Sequence, residues 1–150
     1  MKKQHNIPTG LFGFGTVNEG LYQLLEETNN HSLDIQKIVV KSRDKARSIE
    51  NGKLSFEPND ILENDAIQLV IEAISDAEAA YEIVTRAMHN GKDVITANKK
   101  MVASYYKELA EVQKLTGKKM FYEAAVCGGI PVIKTLDQYF TYDTISSIEG

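Results

Sequence analysis

From Ile7 to Gly20 the chain reads Ile-Pro-Thr-Gly-Leu-Phe-Gly-Phe-Gly-Thr-Val-Asn-Glu-Gly. The apolar run Ile7 to Phe12 predicts a strand, and it runs straight into glycines at 13 and 15. A helix is expected from Thr16, because Val17, Leu21, Leu24 and Leu25 recur at helical spacing. Strand, glycine turn and helix in that order is the context of a dinucleotide-binding fingerprint. Gly13 would permit the tight turn, and Gly15 would let backbone approach a pyrophosphate. The helix start offers free amides and a positive dipole end to that anion. Asn18 occupies the place of the third glycine, so close helix–strand contact is assigned to Gly20. A plain glycine turn between a strand and a helix is the competing reading.

The rest of the chain alternates strands with helices. Strands are expected near 33–40, 54–56, 67–72, 93–96, 120–122 and 145–150, after the first at 6–12. Helices are expected over 16–28, 44–51, from Pro58, over 77–88, over 104–116 and from Pro131 to Tyr139. Ser75 and Glu78 fit a reciprocal capping box. Gly91 and Gly117 follow helix ends as left-handed stops. The alternation predicts an α/β fold: a Rossmann-type, doubly wound, mainly parallel sheet with helices on both faces. With 150 residues, a single domain over 1–150 is expected.

Ligands of such sheets bind beyond the carboxyl ends of the strands. That rule selects the loops 13–16, 41–43, 73–76, 97–100 and 123–130. In a dinucleotide-binding unit an acidic residue after the second strand takes the ribose hydroxyls, whereas a cation accommodates a 2′-phosphate. Here Lys41 and Arg43 stand there with no acid, which favours NADP(H), or tolerance of both NADP(H) and NAD(H). A solvated strand end is the alternative. Ser75 in loop 73–76 joins the cofactor-binding candidates. Lys99 follows a strand directly, where an amine can bind a carboxylate, polarise a carbonyl or carry a proton; an ordinary surface lysine is the other reading. Glu123, at a strand end before Gly128 and Gly129, belongs to a loop able to gather oxygens around a hard cation. A structural turn with Glu123 in a salt bridge competes. Cys127 reads as a small buried thiol more readily than as a nucleophile.

Composition excludes several classes. Seventeen Lys and Arg against twenty-one Asp and Glu give a net charge of −4, no footprint for nucleic acid. No run of eighteen apolar residues predicts a membrane span. The N-terminus lacks the apolar stretch of a signal peptide, so a cytoplasmic location is expected. One cysteine excludes an internal disulfide, and the three histidines are not at metal-ligand spacing. The chain stops inside a predicted strand, so a longer parent chain is expected.

Taken together, Gly13-Phe-Gly-Thr-Val17, Gly91-Lys-Asp-Val-Ile-Thr-Ala-Asn-Lys99 and Tyr122-Glu-Ala-Ala-Val-Cys-Gly-Gly-Ile-Pro131 resemble the N-terminal half of homoserine dehydrogenase. The resemblance covers the whole chain. It implies an oxidoreductase that interconverts L-aspartate 4-semialdehyde and L-homoserine with NADPH or NADH, on the route to threonine, methionine and isoleucine. It implies that Phe14, Gly15, Thr16 and Val17, after the turn at the cofactor-binding candidate Gly13, hold the pyrophosphate and nicotinamide ribose, and that Lys41 meets the 2′-phosphate. Lys99 would contact cofactor and substrate and assist proton transfer. The Glu123 carboxylate and the carbonyls of Val126, Gly128 and Ile130 would hold a monovalent cation, usually sodium. The family's substrate-binding acids and second lysine would lie beyond residue 150. The 150 residues are therefore expected to bind NADP(H) weakly without turnover, and to be monomeric where the complete protein is a homodimer. Asn18 and Ile74-Ser-Asp76 depart from the family's glycines. A binding module that senses NAD(P) without catalysis, or a dehydrogenase for another amino acid or a sugar, are the alternatives. The Glu123 to Pro131 loop argues against the latter.

Overall fold

The computed structural model describes residues 6–28, 32–45, 47, 49, 52–128, 130–140 and 144–147. Six strands form one sheet: β1 (Ile7–Phe12), β2 (Leu33–Val39), β3 (Leu54–Ser55), β4 (Leu69–Glu72), β5 (Asp93–Thr96) and β6 (Met120–Phe121). Their order is β3-β2-β1-β4-β5-β6, and every pairing is parallel. The helices are α1 (Thr16–Glu27), α2 (Asn59–Leu62), α3 (Ala77–His89), α4 (Lys99–Thr116) and α5 (Val132–Tyr139), with a 3-10 turn at Glu123–Ala125. This is the doubly wound order in which the chain reverses direction between β1 and β4.

The strands are apolar on both faces because both faces are covered. Leu11, Ile38, Leu69 and Ile71 join Leu21, Tyr22 and Leu25 of α1 on one side. Phe12, Val39, Val70 and Val94 meet α2, α3 and α4 on the other. At Gly10 an added Cβ would lie 2.6 Å from Cγ2 of Ile61, so α2 approaches β1 where no side chain fits. At the opposite end of the sheet from the β1–α1 turn, Lys92 is buried and its Nζ donates to the carbonyls of Asn64 at 2.7 Å and Ile67 at 3.1 Å. Burial pushes that ammonium below the usual lysine range.

Several expectations are corrected. Residues 44, 45, 47 and 49 are not helical. Arg47 donates to the carbonyls of Ser42 and Lys45 at 2.9 Å each, so a side chain occupies acceptors that a helix would use; 46, 48, 50 and 51 lie outside the described residues. The cap of α3 is Asp76, not a Ser75–Glu78 box. The helix begins at Ala77, so the carboxylate one residue later accepts from the amides of Glu78 and Ala79. The helix expected over 104–116 starts at Lys99, because Asn98 caps it through the Met101 amide at 3.0 Å. Tyr105 breaks its regularity (φ −125°, ψ 22°) where its ring stacks on Tyr81 of α3. Pro131 caps α5 from just outside the helix instead of occupying its first position. Residues 144–147 form no strand, for no described strand offers them a ladder; 148–150 lie outside the described residues. In α1, Val17 and Leu24 are each 56% exposed. The inward stripe is Asn18, Leu21, Tyr22 and Leu25, a helical face that begins on a polar residue.

Candidate cofactor site

The carboxyl ends of β1, β2, β4 and β5 carry the loops that hold the expected cofactor residues. At the end of β1, Gly13 adopts φ +84°, and its amide donates to the Val39 carbonyl at 2.9 Å. An added Cβ would sit 3.0 Å from the Ala73 carbonyl oxygen and 3.0 Å from Cγ2 of Ile74. Both the backbone conformation and the space therefore require glycine. Gly15 differs: its φ is −101°, it precedes α1, and an added Cβ would meet nothing within 4 Å. No side chain caps α1, so the first-turn amides of Thr16, Val17 and Asn18 have no intrahelical acceptor. Such a terminus is ready to receive an anion. The Phe14 ring is buried, edge-on to Tyr22 at 5.7 Å, which leaves its backbone to line the turn.

Asn18 was not legible as a site residue. It is fully buried, and its Nδ2 donates to the carbonyls of Phe12 and Gly13 at 3.0 Å each. It ties the glycine turn to α1 from inside. Gly20 makes no close helix–strand contact, since a Cβ there would meet nothing within 4 Å; it lies on the exposed side of α1.

Lys41 and Arg43 follow β2 and are exposed. The Arg43 guanidinium lies 4.2 Å above the Phe56 ring, a cation–π contact that anchors this bend beside β3. Ser75 is exposed in the loop after β4. Lys99 is the exposed first residue of α4, directly after β5. Along the rim the order is thus Lys41 and Arg43, the glycine turn, Ser75, then Lys99. The strands beneath these ends, β2 to β5, are three interstrand steps apart, about 14 Å.

The fourth loop follows β6. Both Glu123 oxygens accept amide protons of α5, from Ile133 at 3.0 Å and from Lys134 at 3.0 Å. Glu123 therefore caps a helix, where a salt bridge was the structural expectation. Cys127 (φ 53°) and Gly128 (φ 60°) curl the chain here, and Cys127 is exposed, contrary to the buried thiol expected. The Ile130 carbonyl accepts from the Val132 amide at 2.8 Å. The oxygens of Glu123, Val126, Gly128 and Ile130 suit a hard cation in kind, each retaining a further lone pair. Among the described residues no group of three or more His, Cys, Asp or Glu is placed to hold a metal. An open cavity of about 610 Å³ lies between β6 and α5, lined by Phe121, Tyr122, Glu123, Ile133 and Asp137 among others. Burial, the Tyr106 hydroxyl, and the charges of Asp137 and Glu123 push the Tyr122 phenol up to about 12. No helix among the described residues is long and apolar enough to cross a membrane.

Known proteins match this arrangement. The family described as homoserine dehydrogenase, NAD binding domain, matches residues 13–123. Homoserine dehydrogenase of Bacillus subtilis (strain 168) is 31% identical over 153 residues, covering 96% of this chain and 35% of that protein. The crystal structure of a homoserine dehydrogenase from Thiobacillus denitrificans superimposes with a TM-score of 0.81 at 36% identity, covering 91% of this chain and 34% of that one. A hyperthermophilic archaeal homoserine dehydrogenase in complex with NADPH gives a TM-score of 0.74 at 25% identity, covering 88% of this chain and 48% of that one. The chain spans about 35% of the length of the curated relatives it matches. The doubly wound sheet, the open helix start after Gly15 and the match from Gly13 through Glu123 agree: the chain belongs to the family of the homoserine dehydrogenase NAD-binding domain.

Proposed function

We propose that this chain is the cofactor-holding part of an enzyme that interconverts L-aspartate 4-semialdehyde and L-homoserine. The observation that carries the reading is the rim itself: uncapped α1 amides at its centre, cations beyond β2 and an exposed amine beyond β5. The family match and the NADPH-bound archaeal relative support it. When bound, NADPH supplies the hydride. The amides around Gly13 to Val17 receive the pyrophosphate, with Phe14 contributing backbone only. Lys41 and Arg43 neutralise the adenosine 2′-phosphate; NADH, lacking that group, gains nothing from them. Ser75 offers a hydroxyl to the nicotinamide ribose. Lys99 holds its ammonium where a substrate carbonyl oxygen can accept a hydrogen bond and then a proton.

Residues 1–150 act in this reading as one dinucleotide-binding domain, and the groups that grip the small substrate come from outside it. The much greater length of the relatives supports that division. The Glu123 carboxylate and the carbonyls of Val126, Gly128 and Ile130 would hold a monovalent cation, with Glu123 shared between the ion and α5. Fluorescence titration tests the cofactor assignment. NADPH should bind more tightly than NADH, and Lys41→Ala should narrow that preference about tenfold, equivalent to ~1.4 kcal/mol. Tighter binding of NADH by the unaltered protein would overturn the assignment of Lys41.

A further inference from the structure

At the carboxyl end of β4 stands Glu72, a fully buried carboxylate. Its Oε1 accepts from the Ile74 amide at 2.7 Å, and its Oε2 accepts from the Thr96 hydroxyl at 2.5 Å. The Thr96 oxygen accepts in turn from the Asn98 amide at 3.0 Å. Asn98 uses its Oδ1 to cap α4 at Met101 and its Nδ2 to reach the Ile74 carbonyl at 3.0 Å. The loops after β4 and β5 are thereby joined by a closed set of directional bonds. Lys99 is the next residue. Its place as the first residue of α4 means that the start of that helix sets the Cα from which its ammonium reaches.

Resting on the cofactor reading above, we propose that Glu72, Thr96 and Asn98 are positioning residues that fix the start of α4 and so hold the Lys99 amine at the nicotinamide end of the crevice. Stability alone does not explain a buried carboxylate here. Apolar residues of similar volume usually serve a core at least as well as buried charge, and burial drives the Glu72 carboxyl above its usual range against the bonds from Thr96, Ile74 and Asn98. What the network adds is direction. Two bonds, Thr96 to Glu72 and Asn98 to the Ile74 carbonyl, join one loop of the rim to the other, and the rest fix each loop locally.

The test uses isotope-labelled reductive methylation of lysines, with the Lys99 signal assigned by its loss in Lys99→Arg, and NADPH as the probe. In the unaltered protein the Lys99 signal should shift saturably. Glu72→Gln places an amide where Thr96 donates, and Thr96→Val removes the hydroxyl; Thr96→Ser keeps it. NADPH affinity should change less than threefold in all three variants. The Lys99 shift should fall by at least half in Glu72→Gln and Thr96→Val and persist in Thr96→Ser. An undiminished shift in Thr96→Val, or its loss in Thr96→Ser, overturns the proposal even should Glu72→Gln fail to fold. NADPH binding to the unaltered protein without any Lys99 response overturns the cofactor reading itself, a distinguishable result.

Discussion

Gly13 and Gly15 sit two residues apart and should fail in opposite ways when changed to alanine. At Gly13, φ is +84° and an added Cβ lies 3.0 Å from the Ala73 carbonyl oxygen and from Cγ2 of Ile74. The left-handed backbone costs an L-residue about 1–2 kcal/mol. Crowding against a backbone carbonyl, which cannot rotate away as a side-chain tip can, adds about 1–3 kcal/mol. Gly13→Ala should therefore lose about 2–5 kcal/mol, a fall in Tm of about 10 °C for a chain of this size. At Gly15 the backbone is ordinary and the space is empty. Gly15→Ala should stay within about 1 kcal/mol of the unaltered protein, the cost of a poorer helix cap. Its methyl group would instead stand where the pyrophosphate approaches, so NADPH affinity should fall about tenfold or more, ~1.4 kcal/mol. Urea unfolding followed by circular dichroism reads the first effect, and NADPH fluorescence titration reads the second. Equal stability losses in the two variants, or undiminished NADPH binding by Gly15→Ala, would refute the division of labour.

Asp76→Ala removes the two amide bonds that start α3 and should cost about 1 kcal/mol, or about 2–4 °C in Tm; Ser75→Ala should cost less, and the reverse ranking would restore the Ser75 capping box. Burial raises the folded pKa of Glu72 above 4.5, the ordinary value for a glutamate carboxyl. Its contribution thus favours folding in full below that value and is lost as pH rises through the folded pKa. The stability of the protein relative to Glu72→Gln should decline as pH climbs from about 4, and a pH-independent gap in urea unfolding would contradict the assignment.

Much of the fold was legible because parallel strands covered on both faces are written as short apolar runs. Ile38-Val-Val40 and Leu69-Val-Ile71 are runs of this kind, bounded by turn signals. Glycine stops were equally plain, and Gly91 (φ 77°) and Gly117 (φ 69°) sit where expected. Three misses share a physical cause: polar side chains whose partners belong to another element of the fold, near or far in sequence. Asn18 reads only as a departure from the third fingerprint glycine until the carbonyls of Phe12 and Gly13 are brought beneath it. Glu72 reads only as the last residue of the strand expected over 67–72, yet its partner Thr96 is 24 residues further on. Lys92 similarly reaches back to Asn64 and Ile67. The start of α4 did leave a signal, since Asn98 followed by Met101 and Val102 is an N-cap ahead of an apolar pair. The stronger periodicity from Tyr105 onward masked it. The site candidates came through topology: once strand–helix alternation implied a parallel sheet, the loops at the carboxyl ends followed.

The central claim is that a dinucleotide lies along the rim, with its diphosphate on the α1 amides and its reactive ring toward position 99. Backbone-amide NMR during an NADPH titration reads this directly. Saturable shifts should concentrate on Gly13 to Val17 and extend to Lys41 on one side and Lys99 on the other. Shifts confined to the cavity between β6 and α5, with residues 13 to 17 unmoved at saturation, would contradict it.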